Sequence, residues 1–281
     1  MRRGAAEVML AELAFDVRSV ASYSSRMVAR RLLGRRFVRD TQAVIEEYAA
    51  DRMAWADRWR AAPWDLDEYI LSDFDEIVAA RYHQLIDGQL TTGKWREARR
   101  RFVDQVVRTI TELRPGSVME FGCGIGRNLL AIKRALPSVR CAGLELTRPS
   151  VELAMDASRY YGLPIEVQEA NVTQPLNVPP ADVCYSIHAL EQIPDAAGAF
   201  EQMRALSRKA VILWEPIPEL YPRTMRGVAA RLRAVHLDRL RGIYSYIKQC
   251  GYPVEYVHML PDATNALNPA IEVHVLTGRI N

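Results

Sequence analysis

Apolar positions recur at helical spacing through the first 112 residues, and then the rhythm changes. AEVMLAELAFDVRSVA (6–21) and TQAVIEEYAADRMAWADRW (41–59) repeat apolar side chains every three or four positions, which predicts helices. Between them, SSRMVARRLLGRRFVRD (24–40) is amphipathic and strongly basic. WREARRRFVDQVVRTITEL (95–113) predicts a further helix, and Pro115-Gly116 marks an entrance to something different. The whole of 1–112 reads as helical. From Ser117, short apolar runs alternate with helical stretches. SVMEFG, VRCAGLEL, IEVQEAN, ADVCYSIHAL and KAVILWEP read as strands, and RNLLAIKRAL, RPSVELAMDASRYYG and AAGAFEQMRALS as helices, the second closed by a C-terminal glycine. Helices are expected again over about 223–250, followed by two strands, PVEYVHML and AIEVHVLTG. Strands alternating with helices predict a parallel sheet covered on both faces. The last two strands are joined too closely for a helical crossover and predict a hairpin.

Composition narrows the class without deciding it. A chain of 281 residues holds one large α/β domain, or a domain of roughly 150 to 200 residues with an appendage. Its 49% hydrophobic and 25% charged residues are those of a globular protein. A net charge of +3 does not by itself argue for nucleic acid. Arginines cluster, however, in 26–39 and again in 223–241. Arg26, Arg30, Arg31, Arg35 and Arg36 read either as a solvated face or as a contact for anionic lipid or an acidic partner. No apolar run approaches the 18 or so residues of a membrane-spanning helix, and Glu7, Glu12 and Asp16 interrupt what would be the apolar core of a signal peptide. Cys123, Cys141, Cys184 and Cys250 form no CxxC pair, so neither a zinc knuckle nor a redox motif is expected, and a reducing, cytoplasmic setting is. Trp55, Trp59, Trp64, Tyr69, Tyr82 and Trp95 read as core or as the lining of a cavity over the next domain.

The chemistry starts at VMEFGCGIGRN (118–128), where three glycines at alternate positions follow a strand and precede a helix. That placement puts a ligand at the carboxyl edge of the sheet, and glycine allows it to approach the main chain. The spacing is neither a P-loop nor the GxGxxG of dinucleotide binding, since Arg127 and Asn128 stand where the latter continues. Two acids narrow the ligand further. Glu145 ends the second strand, roughly 20 residues on, where an acid holds ribose hydroxyls. Glu120 precedes the first glycine, where a carboxylate would repel pyrophosphate but suit a cation. An adenosine with a cationic amino-acid tail satisfies both.

On these residues the chain resembles the class I S-adenosylmethionine (SAM)-dependent methyltransferases. EFGCGIG is similar to their glycine motif, LEL to the ribose-binding segment, EANVTQP to the adenine-contacting loop, YSIHALEQIPD to the segment after the fourth strand and RKAVILWEP to the fifth strand with its exit. The resemblance covers about 117–278. It implies a Rossmann-like, doubly wound α/β sheet, mostly parallel with an antiparallel C-terminal strand, a core over 113–281 and an N-terminal helical cap over 1–112. It implies SAM as cofactor and S-adenosylhomocysteine (SAH) as product. Gly122, Gly124 and Gly126 would approach the methionine part, Glu120 its amino group and Glu145 the ribose. Leu146 would pack on the adenine, Asn171 would bond the adenine amino group and Val172 would donate its amide. Asn128 and Ser186 complete the expected cofactor-binding set.

Methyl transfer from a sulfonium is an in-line displacement, so the protein chiefly places the acceptor, with a base where a proton must leave. His188, after the fourth strand, is the first candidate base, because imidazole titrates near neutral pH. Glu191 and Glu215 lie at the same edge. No metal is expected, since Gln192 stands where some relatives carry the histidine of a metal-binding Glu-His pair. SIHA replaces the [DN]PP[YF] signature of amino-group methylation on bases or glutamine, which lowers the standing of a nucleic-acid acceptor. The arginines of 223–241 read as acceptor recognition or as a solvated helix face. The expected acceptor is a small molecule, glycan or similar metabolite, methylated at oxygen, nitrogen or carbon. The alternatives are a protein or RNA methyltransferase and a methyltransferase-like binding scaffold, and an oligomer is left open.

Overall fold

In a computed structural model, the alternating second half forms one seven-stranded sheet whose strands run, from edge to edge, Glu166–Glu169, Arg140–Glu145, Ser117–Phe121, Ala181–Ile187, Ser207–Glu215, Ile271–Leu276 and Val254–Met259. The described residues are 5–32, 41–72, 82–237 and 242–277. The strands are β3 (Ser117–Phe121), β4 (Arg140–Glu145), β5 (Glu166–Glu169), β6 (Ala181–Ile187), β7 (Ser207–Glu215), β8 (Val254–Met259) and β9 (Ile271–Leu276). β3 to β7 pair in parallel, whereas β9 inserts antiparallel between β7 and β8, as the terminal hairpin predicts. Every residue of β3 is buried, as a central strand covered on both faces requires. Helices α5 (Arg127–Ala135), α6 (Arg148–Tyr161) and α7 (Ala196–Leu206) are the crossovers, and α8 (Met225–His236) and α9 (Ile243–Gln249) precede β8. Local chemistry sets their ends. Pro149 starts α6, Gly162 closes it at φ 65°, and the Asp195 carboxylate caps α7 by accepting from the Gly198 amide at 2.9 Å.

The first part of the chain contributes α1 (Ala5–Leu32), α2 (Thr41–Ala61), α3 (Leu66–Leu71) and α4 (Trp95–Glu112), but it is not wholly helical. A hairpin of β1 (His83–Ile86) and β2 (Gln89–Thr92) interrupts it. Its turn is Asp87-Gly88, with φ 52° and 76°, and an Asp-Gly pair between alternating residues is the sequence signal that identifies such a turn. The hairpin docks on the β8–β9 loop through reciprocal Leu85–Ala263 backbone bonds of 2.9 and 3.0 Å.

The expected division at 112/113 falls in the α4–β3 connection, and the hydrophobic core runs across it. Trp55, Trp59, Tyr69, Phe102 and Ile110 pack in the same cluster as Val118, Leu129 and Ile212. This answers the question of the aromatics: Trp55, Trp59, Tyr69 and Trp95 are buried, and Tyr82 is exposed. Cys123, Cys141 and Cys184 are buried as small hydrophobes, and Cys250 is exposed.

The basic segments also resolve in part. Arg226 of α8 pairs with Asp16 at 2.9 Å and Glu12 at 3.7 Å, tying α8 to α1. Arg231 donates to the carbonyls of Tyr221 and Pro222, and Arg233 to Asn268 at 2.8 Å. These three arginines therefore hold the protein together and are neither a solvated face nor an acceptor site. Arg26 is exposed on α1, with its guanidinium 5.5 Å from the Tyr23 ring centroid. Arg30 and Arg31 fall in the last turn of α1, and Arg35 and Arg36 lie outside the described residues. No helix among the described residues is long and apolar enough to cross a membrane.

Candidate active site

A cavity of about 630 Å³ opens at the carboxyl ends of β3, β4 and β6, where open parallel sheets bind ligands. Gly122 and Gly124 line it, and the backbone is left-handed at all three glycines, with φ of 72°, 55° and 76° at Gly122, Gly124 and Gly126. They do different work. A Cβ at Gly122 would lie 2.5 Å from the Cβ of Ala189, whereas one at Gly124 would meet nothing within 4 Å. Gly122 therefore lets the β6 exit loop close over β3, and Gly124 leaves bare backbone facing the cavity. Gly122→Ala is expected to lose about 2–4 kcal/mol of stability, measurable by chemical denaturation, because a left-handed backbone and a clash add. Gly126 starts α5 in the left-handed region and does not line the cavity.

Glu120 sits under this loop, 1% exposed, between Gly143 of β4 and Tyr185 of β6. Both of its hydrogen bonds come from neutral groups. Asn128 Nδ2 donates to Oε1 at 2.6 Å and the Tyr185 hydroxyl to Oε2 at 3.2 Å. Burial without a bonded cation pushes the carboxyl up to about 8, against the hydrogen bonds and the more distant Arg99 and Arg127. A positive charge entering the cavity would favour its ionised form. Glu145 is already oriented: Oε2 accepts from the Gly124 amide at 2.9 Å, and Oε1 from the Thr147 amide and hydroxyl at 3.1 and 2.9 Å. Leu146, 40% exposed, presents an open aliphatic surface beside it, and Val172 faces the same space. Asn171 lines the cavity too, but its Oδ1 accepts from the Thr173 amide at 3.0 Å and hydroxyl at 2.8 Å, which shapes the loop.

The three expected catalytic groups part company. His188 lines the cavity at φ 51°, with its side chain 34% exposed. Its Nδ1 lies 3.3 Å from Glu191 Oε1, and Asn268 Nδ2 donates to Glu191 Oε2 at 3.3 Å. Glu191 is buried behind the histidine and does not reach the cavity wall. Glu215 is fully buried and accepts from the amides of Ala189, Leu190 and Glu191 at 2.9, 3.0 and 3.2 Å. It caps the 3₁₀ turn Leu190–Gln192, and burial raises it to about 7, with the His188 charge opposing and Glu191 adding. A carboxylate committed to three amides holds the loop that carries His188 and is not itself placed as a base. Ser186 is likewise fully buried in β6 and does not line the cavity, because strand alternation turns it away.

The missed members come from the cap. Ile45, Tyr48 and Arg52 of α2, Ser72, and Arg99 of α4 line the same cavity. Tyr48 bonds Gln192, Arg127 bonds the Ser72 carbonyl, and the Tyr69 hydroxyl donates to the Ile125 carbonyl of the glycine loop at 2.9 Å. Among the described residues, no cluster of three or more His, Cys, Asp or Glu is placed to hold a metal ion.

Residues 118–210 match a family model described as a methyltransferase domain. No curated protein matches the chain. Among solved structures, the SAH-bound magnesium protoporphyrin IX methyltransferase from Synechocystis PCC 6803 is similar at a TM-score of 0.57 and 15% identity, over 84% of this chain and 99% of that one. Its SAM-bound form gives 0.52 and 15%, over 80% and 96%. An O-methyltransferase family protein from Burkholderia thailandensis gives 0.51 and 14%, over 67% and 58%. At these identities the likeness is one of fold. The matched segment spans the glycine loop and the strands that line the cavity, so residues 118–210 are similar to a methyltransferase domain on a methyltransferase-like fold. The bare backbone at Gly124 and the buried Glu120 suit a ligand with a cationic amino-acid tail, as SAM has.

Proposed function

We propose that the protein methylates a small-molecule acceptor in the cavity shared by the glycine loop and the cap. The observation that carries this reading is one partly open cavity lined both by Tyr48, Arg52 and Arg99 and by Glu120, Gly124 and His188. A room of about 630 Å³ matches a cofactor with a small acceptor rather than a polymer surface. SAM supplies a methyl group on a sulfonium, an already good leaving group. The chain's work is then to bind, orient and deprotonate. Glu120 receives the ammonium, Glu145 the ribose hydroxyls, and Leu146 and Val172 flank the adenine. Asn171, whose oxygen is spent on Thr173, sets the loop so that the Val172 amide faces the base. His188 takes a proton from the acceptor, with Glu191 holding Nδ1 so that Nε2 is the acceptor nitrogen. The cap over 1–112 supplies part of the acceptor wall.

The cofactor half of this reading is tested by Glu145→Ala. The substitution is expected to weaken SAH binding by about 1–3 kcal/mol, the scale of a lost charge-assisted hydrogen bond. Calorimetric titration reads it, and unchanged affinity in the folded variant would remove Glu145 from the site.

A further inference from the structure

We infer that Asn268, from the loop between β8 and β9, is a positioning residue for His188: it fixes the imidazole proton on Nδ1, so that Nε2 is the nitrogen that accepts. The inference rests on the reading above that makes His188 the base, and adds the residues that set its tautomer. A chain of four side chains runs from α8 to the cavity: Arg233, Asn268, Glu191 and His188. Arg233 Nη1 donates to Asn268 Oδ1 at 2.8 Å. A guanidinium only donates, so the amide turns its oxygen to Arg233 and its nitrogen to Glu191. Asn268 Nδ2 then lies 3.4 and 3.3 Å from Glu191 Oε1 and Oε2. Arg233 and Glu191 are both buried, and shielding from water strengthens the links between them.

Two contacts compete at the ring. Glu191 Oε1 lies 3.3 Å from His188 Nδ1, and a carboxylate only accepts, so that contact puts the proton on Nδ1. Asn268 Nδ2 lies 3.4 Å from the same Nδ1, and donation along that line would need the proton on Nε2 instead. The carboxylate contact prevails, because it is charge-assisted and because it draws the amide hydrogens to itself. Backbone bonds already fix where His188 stands: its amide donates to the Trp214 carbonyl and its carbonyl accepts from Gln192 Nε2, both at 3.1 Å. What Asn268 adds is therefore the direction of Glu191 and, through it, the tautomer. Asn268 itself arrives on an anchored loop. The Tyr221 hydroxyl donates to the Pro269 carbonyl at 3.1 Å, and the Ala266 amide to the His83 carbonyl at 2.7 Å. Neither Asn268 nor Arg233 lines the cavity, so both act only through Glu191 and the ring.

The test is a long-range proton–nitrogen correlation spectrum of the full-length protein with ¹⁵N-labelled histidine, at pH 8, above the ordinary histidine range. It distinguishes the two neutral tautomers, and among the five histidines His188 is the one whose signals vanish in His188→Gln. In the wild type the Nδ1–H form is expected to outweigh the Nε2–H form by about tenfold or more. That ratio should fall by about threefold or more in Asn268→Leu, which cannot donate to Glu191, and in Arg233→Met, which no longer orients the amide. A wild-type ring in any other state would overturn the inference. So would a ratio unchanged in Asn268→Leu, or in Arg233→Met should the first variant not fold. Methyl transfer at the wild-type rate in His188→Ala would instead overturn the reading that makes His188 the base, whichever nitrogen carries the proton.

Discussion

His188→Ala is expected to lower methyl transfer by about 100-fold or more with cofactor affinity nearly intact, the scale of lost general-base catalysis. The expectation rests on how the histidine is held. Its amide donates to the Trp214 carbonyl at 3.1 Å, and the backbone turns at φ 51°, a conformation uncommon for a residue with a side chain. The turn is fixed from below by Glu215 through three amides, and the ring by Glu191, to which Asn268 donates in turn. Such over-determined strain belongs to a residue whose direction matters. Transfer from radiolabelled SAM to a metabolite extract of the source cells, measured beside SAH affinity on the same variant, separates a base from a cofactor ligand. Weakened SAH binding with an unchanged rate would assign His188 to the cofactor instead.

Glu120→Gln is expected to weaken SAH binding about 10- to 100-fold, because the ammonium loses a buried, charge-assisted partner. The sign of the pH dependence follows from the same group. With its carboxyl raised to about 8, the free protein is mostly protonated there at neutral pH. A cation binds the ionised form, so binding expels a proton. Affinity should therefore rise from pH 6 towards about 8, by up to roughly tenfold per unit, and the rise should vanish in Glu120→Gln. Titrations of both proteins at pH 6, 7 and 8 read this directly. A flat wild-type profile would mean that Glu120 does not meet the ammonium.

The sheet was legible because its physics is local. β3, β6 and β7 are buried on both faces and so appear as apolar runs, and each crossover helix carries its own period and caps. The glycine loop, Glu120 and Glu145 were legible as one group because each sits at or just behind the carboxyl end of a strand, and those ends line one cavity. What escaped depends on contacts made in three dimensions. Tyr48, Arg52 and Arg99 sit on ordinary helical faces, and only packing of the cap onto the sheet brings them to the cavity. Glu215 reads as a catalytic acid at a strand end until three amides are seen to consume it. Asn171 reads as an adenine ligand until Thr173 takes its oxygen. The β1–β2 hairpin was within reach, since Asp87-Gly88 announces its turn, but helical periodicity on both sides concealed it.

The central claim is that the space above Gly124, between Glu120 and Glu145, is a SAM site. Calorimetric titration of the purified wild-type protein with SAH at pH 8 tests it most directly. The account predicts saturable binding of one SAH per chain, weakened in Glu120→Gln and in Glu145→Ala. A folded wild-type protein that binds neither SAH nor SAM, or binding left untouched by both substitutions, would contradict it.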